Sequence, residues 1–339
     1  MKKNLLRLMM LFVAAVLTNN VFAQGSLLAT LNHEGTISTF YGSQAWKNAH
    51  DAAANGDVIT LSSGAFVAVD ITKAITVRGA GMGIDSKAVS EPTVITGDFK
   101  INIADSGSNR LTLEGIYSNH TISYVNVVNP LFLKCRLEKV TFYNGNATSV
   151  LKDASFIHCR IAEQLYLGTN SSASCVNSVI QAPYSLSNST SNFEFINCCL
   201  IGDIGSVSSS SFKNCIISDN ENGHYINSSC TAYNCICLTA NNYFRNITNA
   251  TNKSLTEYAT LFKTYTGAAL DNLDSETFEL TDAAKAQYLG ADGTEVGIYG
   301  GNLPFDPTPS NPQITKCNVA AKSTADGKLS VDIEVNAAE

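Results

Sequence analysis

The chain has 339 residues, 45% of them hydrophobic and only 15% charged, with a formal net charge of −7. That is enough apolar material for a continuous core, and the spread of branched and aromatic residues excludes a disordered chain. Charged residues fall well below the usual quarter. Ser, Thr, Asn and Gly take their place, which suits a β-rich surface of short turns rather than charged helices.

Residues 1–23 read as a signal peptide. Lys2, Lys3 and Arg7 form the basic start, Leu8 to Leu17 are all apolar, and Val21-Phe22-Ala23 fits cleavage before Gln24. The apolar run is too short to span a membrane and no later segment comes close. Without the leader the net charge becomes −10, so the mature chain is expected to be exported, not membrane-spanning, and unsuited to nucleic acid or anionic membrane.

Leu27–Leu31 and Ile37–Tyr41 read as two short strands joined at His33-Glu34-Gly35. Ser43 then looks like a helix cap. Ala45, Trp46, Ala49, Ala52 and Ala53 follow at helical spacing, and Gly56 closes an amphipathic helix expected to plug one end of a repeat core. Short alternating strands continue from Val58 to Leu133. Gly79-Ala80-Gly81-Met82-Gly83 lacks the helix that a phosphate loop needs, and reads as a tight corner.

From Leu131 to Leu238 a short phrase recurs: Phe132-Leu133-Lys134-Cys135, Phe156-Ile157-His158-Cys159, Val176-Asn177-Ser178, Phe195-Ile196-Asn197-Cys198, Phe212-Lys213-Asn214-Cys215 and Tyr233-Asn234-Cys235. The Cys or Ser falls at 135, 159, 178, 198, 215 and 235, a mean step of 20. A fixed period of that size means stacked structural units. Residues sharing one repeat position stack on one side, so these cysteines read as small buried side chains, with bridges between neighbours left open. No Cys-x-x-Cys with matching His spacing is present, and no metal site is expected. After Leu238 the pattern loosens. Asn302–Pro312 holds Pro304, Pro307, Pro309 and Pro312 and reads as a stiff linker, followed by a hairpin over Gln313–Ala321 and Lys328–Val335. The expected organisation is a leader at 1–23, a β-helix with caps at 24–303, and a linker with β tail at 304–339.

Gly56-Asp57-Val58-Ile59-Thr60-Leu61-Ser62-Ser63-Gly64-Ala65-Phe66, with Ile75 to Gly81, resembles the opening coils of right-handed parallel β-helix proteins of the pectate-lyase-like superfamily. The Asn-Cys-x-Ile phrases look like later coils, and Glu276–Gly301 is similar to the closing coil of secreted bacterial members of the Bacteroides type. The resemblance covers about residues 43–303. It implies an all-β fold, a right-handed parallel β-helix with coils of about 20 residues, an N-terminal capping helix and a short C-terminal β tail. It says little of function, because that superfamily holds lyases, hydrolases and adhesins.

Residues beside an inward one point outward. Lys134, Arg136, His158 and Arg160 flank Cys135 and Cys159 on adjacent coils, with Lys139 nearby, and form a basic cluster on an acidic chain. A polysaccharide lyase must neutralise a uronate carboxylate and abstract the neighbouring proton, and Arg, Lys and His supply those chemistries. Arg136, His158 and Arg160 are therefore the catalytic candidates, and Lys134 and Lys139 the binding candidates. The competing reading is a solvated face balanced by Glu138, Asp153 and Glu163. The Arg-rich catalytic phrase of the pectate lyases themselves is missing. Asp203 and Asp219 are the nearest acid–base candidates for a hydrolase, without a paired Asp-Asp. Asp219-Asn220-Glu221-Asn222-Gly223 offers oxygen ligands for Ca²⁺ but lacks a full loop, so no cofactor is expected. Tyr225, Tyr233, Tyr243 and Phe244 could form a sugar-stacking surface. The leading expectation is a non-catalytic cell-surface or glycan-binding protein, with polysaccharide as partner. The rival is a lyase or hydrolase of acidic polysaccharide working on the outer face.

Overall fold

The computed structural model describes residues 27–84, 91–146, 148–185, 190–202, 207, 209–218, 229–238, 252–255, 258–265 and 276–336. The leader expected at 1–23 lies outside them, as do Asp203, the Asp219–Gly223 segment, Tyr225, Tyr243 and Phe244.

Successive 20-residue units wind a parallel β-solenoid of about eight coils. Two long sheets, of 11 and 12 strands, run its length. In the first sheet the register stacks Val77, Leu113, Phe132, Phe156, Cys175, Phe195, Phe212 and Ala232 into one inward row. Phe132 and Phe156 lie face to face, with ring centroids 4.6 Å apart, and Phe195 and Phe212 follow at 5.1 Å. These distances match the ~4.8 Å separation of hydrogen-bonded strands, so identical side chains one coil apart are forced into contact. The second sheet answers with Leu137, Ile161, Ile180, Leu200, Ile217 and Cys237.

The corner between the two sheets explains the repeated phrase. The residue before each ladder position adopts a left-handed backbone: Lys134, His158, Asn177, Asn197, Asn214 and Asn234 have φ between 43° and 55°. Asn tolerates that conformation better than most L residues. Gly115 holds the same slot one coil earlier, with φ of 62°. The reversal turns the next side chain inward. Cys135, Cys159, Ser178, Cys198 and Cys215 each donate to a carbonyl of the preceding coil at 3.1–3.4 Å. The slot therefore asks for a small side chain with a modest donor, and Ser replaces Cys once without leaving its hydroxyl unmatched. All ten cysteines are free thiols, and nine are buried. Burial pushes the thiols of Cys159, Cys175, Cys198, Cys199 and Cys235 up.

Leu28–His33 and Thr36–Tyr41 form an antiparallel hairpin that begins the first sheet. The helix Ala45–Ala52 follows and buries Ala45, Trp46, Ala49 and His50 against the core end. Gln44, not Ser43, holds its N-cap, and Ala53, not Gly56, follows its last residue. The Lys73 ammonium donates to the carbonyls of His50, Asp51 and Ala53 at 2.6–2.9 Å, which places a cation on the acceptors at the helix C-terminus.

A second apolar core lies outside the solenoid. Val179, Cys199, Ile201, Ile216, Ile236 and Leu238 project outward from the second sheet and are buried under Phe262, Tyr265, Phe278, Val296, Ile298 and their neighbours. Strands such as Cys199–Ile201 and Cys235–Leu238 are consequently buried on both faces. A terminal antiparallel pair, Gln313–Val319 and Val331–Asn336, closes the described chain. No helix among the described residues is long and apolar enough to cross a membrane.

Candidate functional site

The corner residues do more than turn the chain. Their side chains point away from the core, and a strap formed by residues 290–311 runs back along them, against the direction in which the coils grow. Gly297 N donates to Asn214 O at 2.8 Å. Asn177 Nδ2 donates to Ile298 O and Gly300 O at 2.8 and 2.7 Å. His158 Nε2 meets Leu303 O at 2.9 Å. The Lys134 ammonium reaches Asp306 Oδ2 at 2.9 Å and Thr308 O at 2.5 Å. Ser310 N donates to Glu114 Oε1 at 2.8 Å, and Asn311 Nδ2 to Gly79 O at 3.0 Å. Pro309 covers Gly115, where a Cβ would lie 2.8 Å from it. The proline-rich stretch is thus extended as a linker would be, but docked, with Phe305 and Pro309 buried.

Three members of the expected basic cluster, Lys134, His158 and Arg160, sit against this strap. Arg136 and Arg160 are register neighbours on adjacent coils and point away from the inner core, as the sequence implies. They are nevertheless only 8% and 4% exposed, and His158 only 7%. The Arg136 guanidinium lies 4.3 Å from the centroid of the Tyr117 ring and 3.7 Å from Glu138. That of Arg160 lies 5.5 Å from Phe305 and 6.0 Å from Phe278. Both are placed over aromatic faces, where a cation is attracted by the ring quadrupole. Burial, reinforced by the Lys134 charge, lowers the His158 pKa, against an opposing hydrogen bond to Leu303 O. Lys139 stands apart from the other four, paired with Glu163 at 2.8 Å. The structure therefore brings Lys134, Arg136, His158 and Arg160 together beneath chain, not along a groove, and leaves Lys139 at the surface. Of the acids expected to balance them, Glu138 and Glu163 do so, whereas Asp153 bonds Ser172.

The open feature is elsewhere. On the outer face of the first sheet, Asp153, Ser155, Ser172, Ser174, Asn192 and Glu194 line a depression of about 250 Å³. Ala154 and Ala173 lie in its floor by their backbone, with their side chains turned into the inner core, so the hollow lies between the outward rows on either side. Ser155, Ser174 and Glu194 stand in one row on consecutive coils, with Ser172 and Asn192 paired in the row beside them. Ser172 Oγ bonds Asp153 Oδ1 at 2.9 Å, and Ser174 Oγ approaches Glu194 Oε2 at 3.4 Å. Next to these rows runs a half-buried aliphatic row of Leu133, Ile157, Val176 and Ile196. Tyr233, 45% exposed, extends that row two coils further. The arrangement offers hydroxyl, amide and carboxylate groups at coil spacing beside an apolar shelf. The sequence signal for it was the triplets Asp153-Ala154-Ser155 and Ser172-Ala173-Ser174, which fall in register. Among the described residues no group of three or more His, Cys, Asp or Glu side chains is placed to hold a metal ion.

No protein-family model matches the sequence, and no curated protein or solved structure matches it at a significant level.

Proposed function

We propose that this is an exported β-helix protein that binds glycan at the cell surface without cleaving it, the polymer lying across the open face of the first sheet. The observation that carries the reading is the polar depression over Asp153, Ser172, Ser174, Asn192 and Glu194. It is solvent-open, spans three coils, and sets hydrogen-bonding groups beside aliphatic surface, which is what a sugar ring with polar edges and apolar faces requires. Two carboxylates and a net charge of −10 for the mature chain favour a neutral glycan over a uronate polymer. The leader-like N-terminus and the resemblance of the coils to the pectate-lyase-like superfamily support export and a right-handed winding.

The rival reading, a lyase centred on Arg136, His158 and Arg160, requires a uronate to reach three buried groups, two of which, His158 and Arg160, lie against strap residues Leu303 and Phe305. Affinity electrophoresis of the mature protein in gels containing neutral or uronic-acid polysaccharides separates the two. Retardation by a neutral glycan is expected, weakened several-fold by Glu194→Ala or Ser174→Tyr, with no unsaturated uronate detected by ultraviolet absorbance. Retardation by no member of the panel refutes the binding reading. Unsaturated product that disappears in Arg160→Ala establishes the rival.

A further inference from the structure

The strand Thr36–Tyr41 is the terminal strand of the 11-stranded sheet, with one side paired to Leu28–His33 and the other open among the described residues. Its hydrogen-bond parity follows from the neighbouring bonds. Gly42 N bonds Leu27 O, whereas Ser62 N bonds Leu28 O. Odd-numbered residues of the first strand therefore bond the hairpin partner, and even-numbered ones bond the strand Val58–Leu61. The partners of Ala29, Leu31 and His33 are Phe40, Ser38 and Thr36, whose backbone groups are thereby used. Those of Ile37, Thr39 and Tyr41 point to the open edge. The turn agrees: Glu34 and Gly35 have φ of 48° and 86°, the two-residue hairpin geometry that makes His33 and Thr36 a hydrogen-bonded pair.

Open edges are commonly guarded by lysine, proline or a bulge. The sequence Thr-Ile-Ser-Thr-Phe-Tyr has no charge, no proline and no glycine, and its pairing to the first strand is unbroken. Ile37 and Tyr41 are each 68% exposed. The strand is also complementary to itself. When two copies run antiparallel about a two-fold axis at Thr39, Ile37 faces Tyr41 of the second copy, Thr39 faces Thr39, and Tyr41 faces Ile37. All three open positions then pair, exchanging two backbone bonds each. The side-chain pairs so formed are aromatic with β-branched at both ends and Thr with Thr at the centre, combinations that favour antiparallel pairing. No other two-fold register engages all three positions.

We infer that this protein self-associates through the Thr36–Tyr41 edge into a two-fold dimer in which the first sheets of two copies become one continuous sheet. Two six-residue strands bury far less than the ~1,600 Å² of a standard interface, so the dimer depends on concentration. The two-fold closes it at two copies, because pairing consumes the edge on both.

Sedimentation velocity of the mature full-length chain over a wide concentration range tests this. Wild type is expected to shift from one mass to twice that mass. Thr39→Lys and Thr39→Glu, which set like charges opposite each other at the axis, are each expected to remain at the single mass. An equimolar mixture of the two is expected to recover the doubled mass. Thr30→Lys, on the same outer face but one strand in from the edge, is expected to dimerise as wild type, and melting curves confirm that each variant is folded. A wild type that stays at the single mass, a dimer indifferent to Thr39→Lys, a mixture that fails to re-associate, or open-ended growth overturns the inference.

Discussion

Asn177 holds the strap by a single amide, and a series at this position tests whether the corner ladder is a docking device. The side chain is buried, with φ of 43°, and its Nδ2 donates to Ile298 O and Gly300 O. Ile298 O also receives Phe305 N at 2.8 Å, so losing the amide leaves it one partner, whereas Gly300 O loses the donor Asn177 gives it. One unmatched buried acceptor and one lost ordinary bond together amount to about 2–4 kcal/mol. Asn177→Gly should show that loss alone, because glycine accepts the left-handed backbone. Asn177→Ala should cost about 1 kcal/mol more, the penalty of a Cβ in that region. Asn177→Asp should be the worst of the three, since a carboxylate then faces carbonyl oxygens in a buried site. Denaturant unfolding followed by near-ultraviolet circular dichroism gives the order. Hydrogen–deuterium exchange over 296–311 shows whether the loss is local to the strap. Asn177→Gly within about 0.5 kcal/mol of wild type, with unchanged exchange in that segment, would refute the assignment.

Other consequences are as direct. Thiol titration of the reduced native protein should find one reactive cysteine, Cys317, and ten after unfolding, because the other nine are buried. Gly300→Ala should detach the strap and raise its proteolysis, since the added Cβ would lie 1.7 Å from Glu295 O and 2.7 Å from Asn197 Nδ2. Gly327→Ala, at a φ of 79° but with nothing within 4 Å, should leave the strap in place. The histidines should titrate in opposite senses. His33 is raised by its 2.8 Å hydrogen bond to Asp57, so its contribution is fully present below pH 6.5 and is lost as pH rises through the raised value. His158 is lowered by burial, so the unfolded chain takes up the proton first, and stability falls as pH drops below 6.5 toward the folded value. NMR titration of the ring protons should place His33 above 6.5 and His158 below, with Asp57→Asn returning His33 to the ordinary value.

The coil architecture was legible because one physical constraint repeats. A core at ~4.8 Å spacing demands the same kind of side chain every 20 residues, and Phe132, Phe156, Phe195 and Phe212 meet that demand openly. The corner was harder. Lys134 and His158 read as outward cations because their slot was not yet identified. The Asn residues at 177, 197, 214 and 234 carried the information, being the type that accepts positive φ. The outer core left a trace as well. Cys198-Cys199-Leu200-Ile201 is a continuous apolar run where a half-buried strand would alternate, and such a run means cover on both faces. What covers it could not be read, because periodicity reports which residues leave the core and not what lies over them. For the same reason the strap reads as a stiff linker: Pro304, Pro307 and Pro309 specify extended chain, whether docked or not. The depression left only the two triplets Asp153-Ala154-Ser155 and Ser172-Ala173-Ser174 as a trace, and it takes the register to set Ser155 beside Ser174 and Ser172 beside Asn192.

The strap also changes how the molecule should hold together. A bare solenoid is a one-dimensional array in which each unit senses only its neighbours, so its ends fray independently. Here Ser310 and Asn311 bond Glu114 and Gly79, residues 196 and 232 positions earlier. A segment made late thus restrains coils made long before it and couples the middle of the array to its start. Melting should accordingly be more nearly all-or-none than the local contacts of the coils alone would permit. During synthesis, His158 and Arg160 lack this cover until Leu303 and Phe305 have been made, and Gly79 lacks its bond until Asn311 has.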